Sequence, residues 1–195
     1  MSYITVDSND IEVFHNSLPG LESLWALHDV NPAIIWTPVD GDLHPGQSIW
    51  LRHKNPVWQH TDNLDVNIVT SIMRHSKSDW QHTDNPDVNT VISILKKYIT
   101  GIYPTQEVEF GRVYLHRLKF NQYVWRHRDV NDPDYFATFK RYHLFTNIPD
   151  SVDIESSPSP LANTFFLFNH SEFHSYKNSN EIEDLIFCVV DVRPK

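Results

Sequence analysis

Val124-Trp125-Arg126-His127-Arg128-Asp129 sets an imidazole and a carboxylate two residues apart. On an extended strand such a pair points to one face. A second histidine from a neighbouring strand completes two imidazoles and one carboxylate, a donor set that binds Fe(II) facially and leaves the other metal positions open. Downstream, Phe168-Asn169-His170-Ser171-Glu172-Phe173-His174 offers two such histidines. If that stretch is extended, His170 and His174 share a face, so residue parity leaves both open. His-x-Asp alone is a weak signal, because it recurs as His60/Asp62 and His82/Asp84. Those two pairs belong to a duplicated loop whose Asp and Asn residues are better explained as turn and cap formers.

The elements that must position these residues fall into two parts. Residues 107–195 read as strands: 108–118 and 122–127 form a β-hairpin turning at Lys119-Phe120-Asn121, followed by 135–148, 163–169, 173–177 and 184–192. Residues 150–162 are a Ser/Pro-rich loop without apolar period. Residues 1–106 read as a mainly helical lead-in, with a helix at 20–28 and short strands at 33–37 and 48–52. Within it Trp58-Gln59-His60-Thr61-Asp62-Asn63 recurs as Trp80-Gln81-His82-Thr83-Asp84-Asn85, giving a tandem repeat over 58–79 and 80–101. In the second copy Asn85 caps, Pro86 suits the first helical position, and Val88, Val91, Ile92, Leu95 and Ile99 follow at helical spacing. The first copy carries a shorter stripe, Val66, Val69, Ile72 and Met73. Trp58 and Trp80 read as packing residues of the repeat. Helices followed by a run of antiparallel strands predict an α+β fold, a jelly roll buttressed by N-terminal helices.

At 195 residues the chain is long enough for one domain with a substantial core, and 40% apolar content suits a globular protein. Its 16 Lys and Arg against 25 Asp and Glu give a net charge of -9, which argues against nucleic-acid binding through phosphates. Cys188 is the only cysteine, so no intrachain disulfide forms and a reducing compartment is expected. No window has the apolar length of a membrane span, and the N-terminal residues lack the basic and apolar regions of a signal peptide. A soluble, cytoplasmic protein is the expectation. There is no Gly-rich phosphate loop, Cys-x-x-Cys pair or Gly-x-Ser-x-Gly elbow, which removes nucleotide-driven, zinc-ribbon and hydrolase readings.

From Val113 to Pro194 the chain resembles the aspartyl/asparaginyl β-hydroxylase-like branch of the Fe(II)/2-oxoglutarate-dependent oxygenases. Four strings carry the likeness in order: Val124-Trp125-Arg126-His127, Arg141-Tyr142-His143-Leu144, Phe168 to His174, and Ile186-Phe187-Cys188-Val189-Val190-Asp191-Val192. The resemblance implies a double-stranded β-helix, a cupin-like jelly roll. It implies Fe(II) on His127 and His174, selecting His174 over His170; Asp129, placed by its spacing from His127, adds a third ligand that some β-hydroxylases lack. It also implies 2-oxoglutarate as cosubstrate with Arg141 and His143 close to it, and an amino-acid side chain, free or in a peptide or protein, as the group hydroxylated.

Three departures stand out: Asp184 lies ten residues beyond His174, where the family carries an Arg for the cosubstrate; His116 replaces a small hydroxyl residue; Phe120-Asn121 replaces a Pro-Gly turn. Arg141 and His143 are two apart and face inward together, and a buried Arg needs an anion. That anion is either the cosubstrate or Asp184. The alternative to an oxygenase is therefore a cupin-like binding or structural protein that has lost turnover.

Overall fold

Alternation along each strand decides which side chains meet between the sheets and which meet the helices. The computed structural model describes residues 3–29, 47–52, 80, 83–129, 133–156 and 158–195. In chain order these form β1 (Tyr3–Thr5), α1 (Ser8–Ser17), a short 3-10 turn (Leu18–Leu21), α2 (Glu22–Asp29), β2 (Gln47–Arg52) and α3 (Pro86–Ile102). Then come β3 (Val108–Leu118), β4 (Tyr123–His127), α4 (Pro133–Phe136), β5 (Lys140–Phe145), β6 (Val152–Glu155), β7 (Thr164–Phe168), β8 (His174–Asn178) and β9 (Leu185–Pro194). The strand expected at 33–37 and the first repeat helix lie outside the described residues.

The strands form two antiparallel sheets, a larger one in the order β1-β7-β5-β9-β3-β2 and a smaller one in the order β4-β8-β6. From β3 to β9 successive strands alternate between the larger sheet and the smaller. The chain thus winds back and forth between two facing sheets, and the fold is a double-stranded β-helix with N-terminal helices. This corrects the hairpin expected from β3 and β4: the two strands belong to different sheets. Asn121 turns the corner with φ 60, a conformation that Asn tolerates, and its N–H donates to the Asn178 carbonyl at 2.8 Å.

Parity gives each face of the larger sheet its own core. Tyr114, Leu118, Phe145, Phe166, Phe168, Leu185, Phe187 and Val189 point inward and meet Val124 and Tyr176 of the smaller sheet. Their neighbours Val113, Leu115, Leu144, Phe165, Ile186, Cys188, Val190 and Val192 point outward and meet Phe14, Leu21, Trp25 and the buried face of α3. That face is Val88, Val91, Ile92, Ile94, Leu95 and Ile99, each burial contributing about 1.5–3 kcal/mol. Asn85 caps α3 as expected, accepting from the N–H groups of Asp87 and Val88. The start of α3 seats on Gly20, where a Cβ would lie 1.7 Å from Asp87 Oδ2. Trp80 packs on the same core, its ring 5.5 Å from Phe110.

Four elements differ from the expectation. β1 adds an unforeseen edge strand to the larger sheet, whose other edge is β2, the strand expected at 48–52. α1, capped by Asp7, has only Phe14 as a fully buried apolar anchor and leaves little periodicity to read. β6 lies inside the segment read as a loop, with Val152 and Ile154 turned to the interior. A helical turn, α4, precedes β5 where a continuous strand was expected. Among the described residues no helix is long and apolar enough to cross a membrane.

Candidate metal centre

β4 and β8 deliver the two histidines to one point. Their register pairs Val124 with Tyr176 and His127 with His174, so β4 spends three residues where β8 spends two. This bulge re-aims the strand. Val124 and His127 both face inward, and Arg126 is left outside, where it pairs with Glu155. Asp129 lies just past the end of β4. Its N–H donates to the His170 carbonyl at 3.0 Å, which fixes the backbone, and its carboxylate turns back to the histidines.

His127 Nε2 lies 3.4 Å from Asp129 Oδ1, and His174 Nε2 lies 3.8 Å from Asp129 Oδ2. The ligand atoms of His127, Asp129 and His174 all fall within 4.8 Å of one another, and no other such group of three occurs among the described residues. Two donors sharing one ion at about 2.0–2.2 Å each stand at most about 4.4 Å apart, so the 3.4 and 3.8 Å spacings from Asp129 to the two histidines suit a common metal. The Nδ1 of His174 lies 3.3 Å from the Glu172 carbonyl, a contact that directs Nε2 inward. Burial pushes the His174 imidazole down to about 4 despite Asp129 beside it, so at neutral pH it presents a lone pair. Burial pushes the Asp129 carboxyl up, but Arg141, His127 and His174 outweigh this and hold it well below the usual carboxylate range.

His170 takes another role. Its ring stacks on Phe136 at 4.5 Å, and it joins the site only through its carbonyl. The pair His60/Asp62 and His82 lie outside the described residues. Arg141 and His143 both face the interior of β5, as their spacing requires. His143 is buried and stacks on Phe168 at 4.0 Å; Phe168 in turn meets His174 edge-on at 4.7 Å. Burial, then Arg141, push the His143 imidazole well below its ordinary range. Its Nδ1 lies 3.4 Å from the Tyr176 hydroxyl, and its Nε2 is buried without a partner among the described residues.

Arg141 does not pair with Asp184. It forks onto Asp191, directly opposite on β9, with Nε to Oδ1 at 2.7 Å and Nη2 to Oδ2 at 2.8 Å, and gives Nη1 to Asp129 Oδ2 at 2.5 Å. Parity explains the choice. Asp191 shares its face with Phe187 and Val189, whereas Asp184 shares the helix-side parity of Ile186 and Cys188. There Asp184 lies 3.9 Å from Arg117, which also binds Glu22 at 2.6 Å and covers Trp25. Asp191 and Tyr135, whose hydroxyl donates to Asp191 at 3.0 Å, are site residues that the sequence reading left unassigned. A lone carboxylate inside the apolar run Val189-Val190-Asp191-Val192 was the signal for Asp191, since such a group is buried only with a cation.

Several solved structures are similar to this chain. AviO1 from Streptomyces viridochromogenes is 11% identical, with 97% of this chain and 86% of that chain covered and a TM-score of 0.51. The likeness is one of fold. An oxidoreductase of the 2OG-Fe(II) oxygenase family from Burkholderia pseudomallei is 12% identical over 92% of this chain and 90% of that chain, with a TM-score of 0.48. A prolyl-4-hydroxylase from Pseudomonas putida is 12% identical over 98% and 91%, with a TM-score of 0.44. No family model matches the chain, and no curated protein matches it in sequence.

Proposed function

We propose that this chain is an Fe(II)- and 2-oxoglutarate-dependent oxygenase that hydroxylates an amino-acid side chain, free or within a peptide or protein. One observation carries the reading: two imidazoles and one carboxylate, from His127, Asp129 and His174, converge between the facing strands of a double-stranded β-helix. His127, Asp129 and His174 would hold the iron, a facial set that leaves positions open. Iron and 2-oxoglutarate together supply the oxidising power, which places one oxygen atom of O2 in a C–H bond and the other in succinate, with release of CO2.

The chain's own residues support that chemistry. In the tautomer in which the Tyr176 O–H donates to Nδ1, His143 carries its proton on Nε2. That buried donor lacks a partner among the described residues and suits a carboxylate oxygen of the cosubstrate. Arg141 has N–H groups beyond the three used on Asp191 and Asp129. The rings of Phe145, Phe166, Phe168, Tyr176 and Phe187 keep the interior dry, which strengthens each polar contact within it. His127 is a third exposed and His174 almost fully buried, so the centre opens to a substrate on the β4 side.

Anaerobic titration of the metal-free protein with Fe(II), then 2-oxoglutarate, tests the reading by visible absorption. A charge-transfer band that appears with 2-oxoglutarate and is lost in His127→Ala is the expected result. Tight Fe(II) binding without the band excludes 2-oxoglutarate as cosubstrate. Absence of iron binding leaves a binding or structural protein.

A further inference from the structure

We propose that Arg141 is a positioning residue for the Asp129 carboxylate, held in its own place by Asp191 and Tyr135. The inference rests on the metal reading of His127, Asp129 and His174. Asp129 lies two residues past His127, the last residue of β4, so no strand partner sets its side chain. The guanidinium that meets it is itself held along its other edge. Asp191 is fully buried on β9, opposite Arg141 in register, and grips the Nε/Nη2 edge with both oxygens. A fork of this kind fixes the plane of the guanidinium, and the third nitrogen then falls on Asp129 Oδ2.

A further support arrives from α4. Tyr135 reaches across β3 to donate its hydroxyl to Asp191 Oδ2, and that hydroxyl accepts the Arg112 N–H at 2.8 Å. Its ring stacks on Phe139 at 4.5 Å. The crossing passes over Gly111, where a Cβ would lie 2.3 Å from the Tyr135 oxygen and 2.8 Å from the Phe139 ring. The β3–β9 register also breaks between Phe110 and Val113, so the strand pair is opened at the same place. A buried Arg–Asp191 pair needed only for charge balance requires neither the third bond to Asp129 nor the route for Tyr135. Four elements, β3, α4, β5 and β9, thus converge on the orientation of one carboxylate.

Co(II) titration of the metal-free full chain, followed through the visible d–d bands, tests this role. Arg141→Lys keeps a cation but cannot fork, and it is expected to lose about ten-fold or more in Co(II) affinity with altered bands. Tyr135→Phe keeps every charge and acts one contact further out, with an expected loss of about three-fold. Both losses should vanish when the same substitutions are made in an Asp129→Ala background, measured at higher Co(II). Equal losses in both backgrounds, or unchanged affinity and bands in folded Arg141→Lys, overturn the proposal. If Arg141→Lys does not fold, the Tyr135→Phe comparison decides alone, and unchanged affinity there overturns it. A wild-type protein that takes up no Co(II) overturns the metal reading itself, and this role with it. Uptake that ignores Arg141 overturns the positioning role only.

Discussion

His174 is buried, neutral and aimed at Asp129, whereas His170 lies four residues away with its ring against Phe136. His174→Ala should therefore abolish tight Fe(II) uptake in an anaerobic titration, and His170→Ala should leave the affinity within about three-fold of wild type. Burial also ties His174 to acid stability. The folded imidazole titrates near about 4 against an ordinary 6.5. Above pH 6.5 neither the folded nor the unfolded chain binds a proton there; between 6.5 and 4 only the unfolded chain does. Stability of the metal-free protein should fall as pH drops through that window, by on the order of 3 kcal/mol at its lower end. His143, also pushed well below its ordinary range, acts in the same direction. Urea midpoints between pH 7.5 and 4 check the slope, which His174→Gln should reduce; a midpoint that ignores pH there would count against the desolvated imidazole.

At the scale of elements, the crossing of Tyr135 over β3 makes Gly111 a packing position. Gly111→Ala should cost about 1–3 kcal/mol in urea denaturation, because backbone and α4 must part to admit the methyl group. Asn85→Ala, which removes the cap of α3, should cost about 1 kcal/mol without changing metal affinity. α3 was legible in the sequence because local chemistry fixes it: a cap, a proline and a helical stripe sit together. His127 and Asp129 were legible as a candidate pair because donor type and spacing are themselves sequence facts, whereas spacing left His170 and His174 open and the family resemblance chose between them. The bulge in β4 was not, since it is a property of pairing with β8. Nor was the choice of Asp191 over Asp184 for Arg141, which depends on the register of β5 against β9 and the parity that follows. β6 escaped because four residues among Ser and Pro carry too little alternation to separate a strand from a loop.

At the scale of the whole molecule, the described residues form a helical layer, a large sheet and a small sheet, with His127, Asp129 and His174 at the small sheet's edge of the inner core. The large sheet is held on both faces, outward by α1 to α3 and inward by the aromatic core. Among the described residues the small sheet has three strands and rests on the inner core alone. An ion on His127, Asp129 and His174 would join the end of β4 to the start of β8, so its binding energy would reinforce the less supported layer. An ion that binds only the folded chain stabilises it by RT ln(1 + [L]/Kd), about 2.7 kcal/mol at a hundred times Kd. For a chain of this length each kcal/mol raises Tm by about 2–4 °C, so saturating Co(II) should raise it by roughly 5–10 °C. Differential scanning calorimetry at several Co(II) concentrations checks the shift and its logarithmic rise. His174→Ala, read in the same way, should show none. Leu95→Ala should lower the starting Tm through a loss of about 2–5 kcal/mol in the helix-side core, yet keep the full metal-dependent increment. An increment that shrinks with Leu95→Ala would mean that the helical layer, rather than the strands alone, sets the geometry of the metal site.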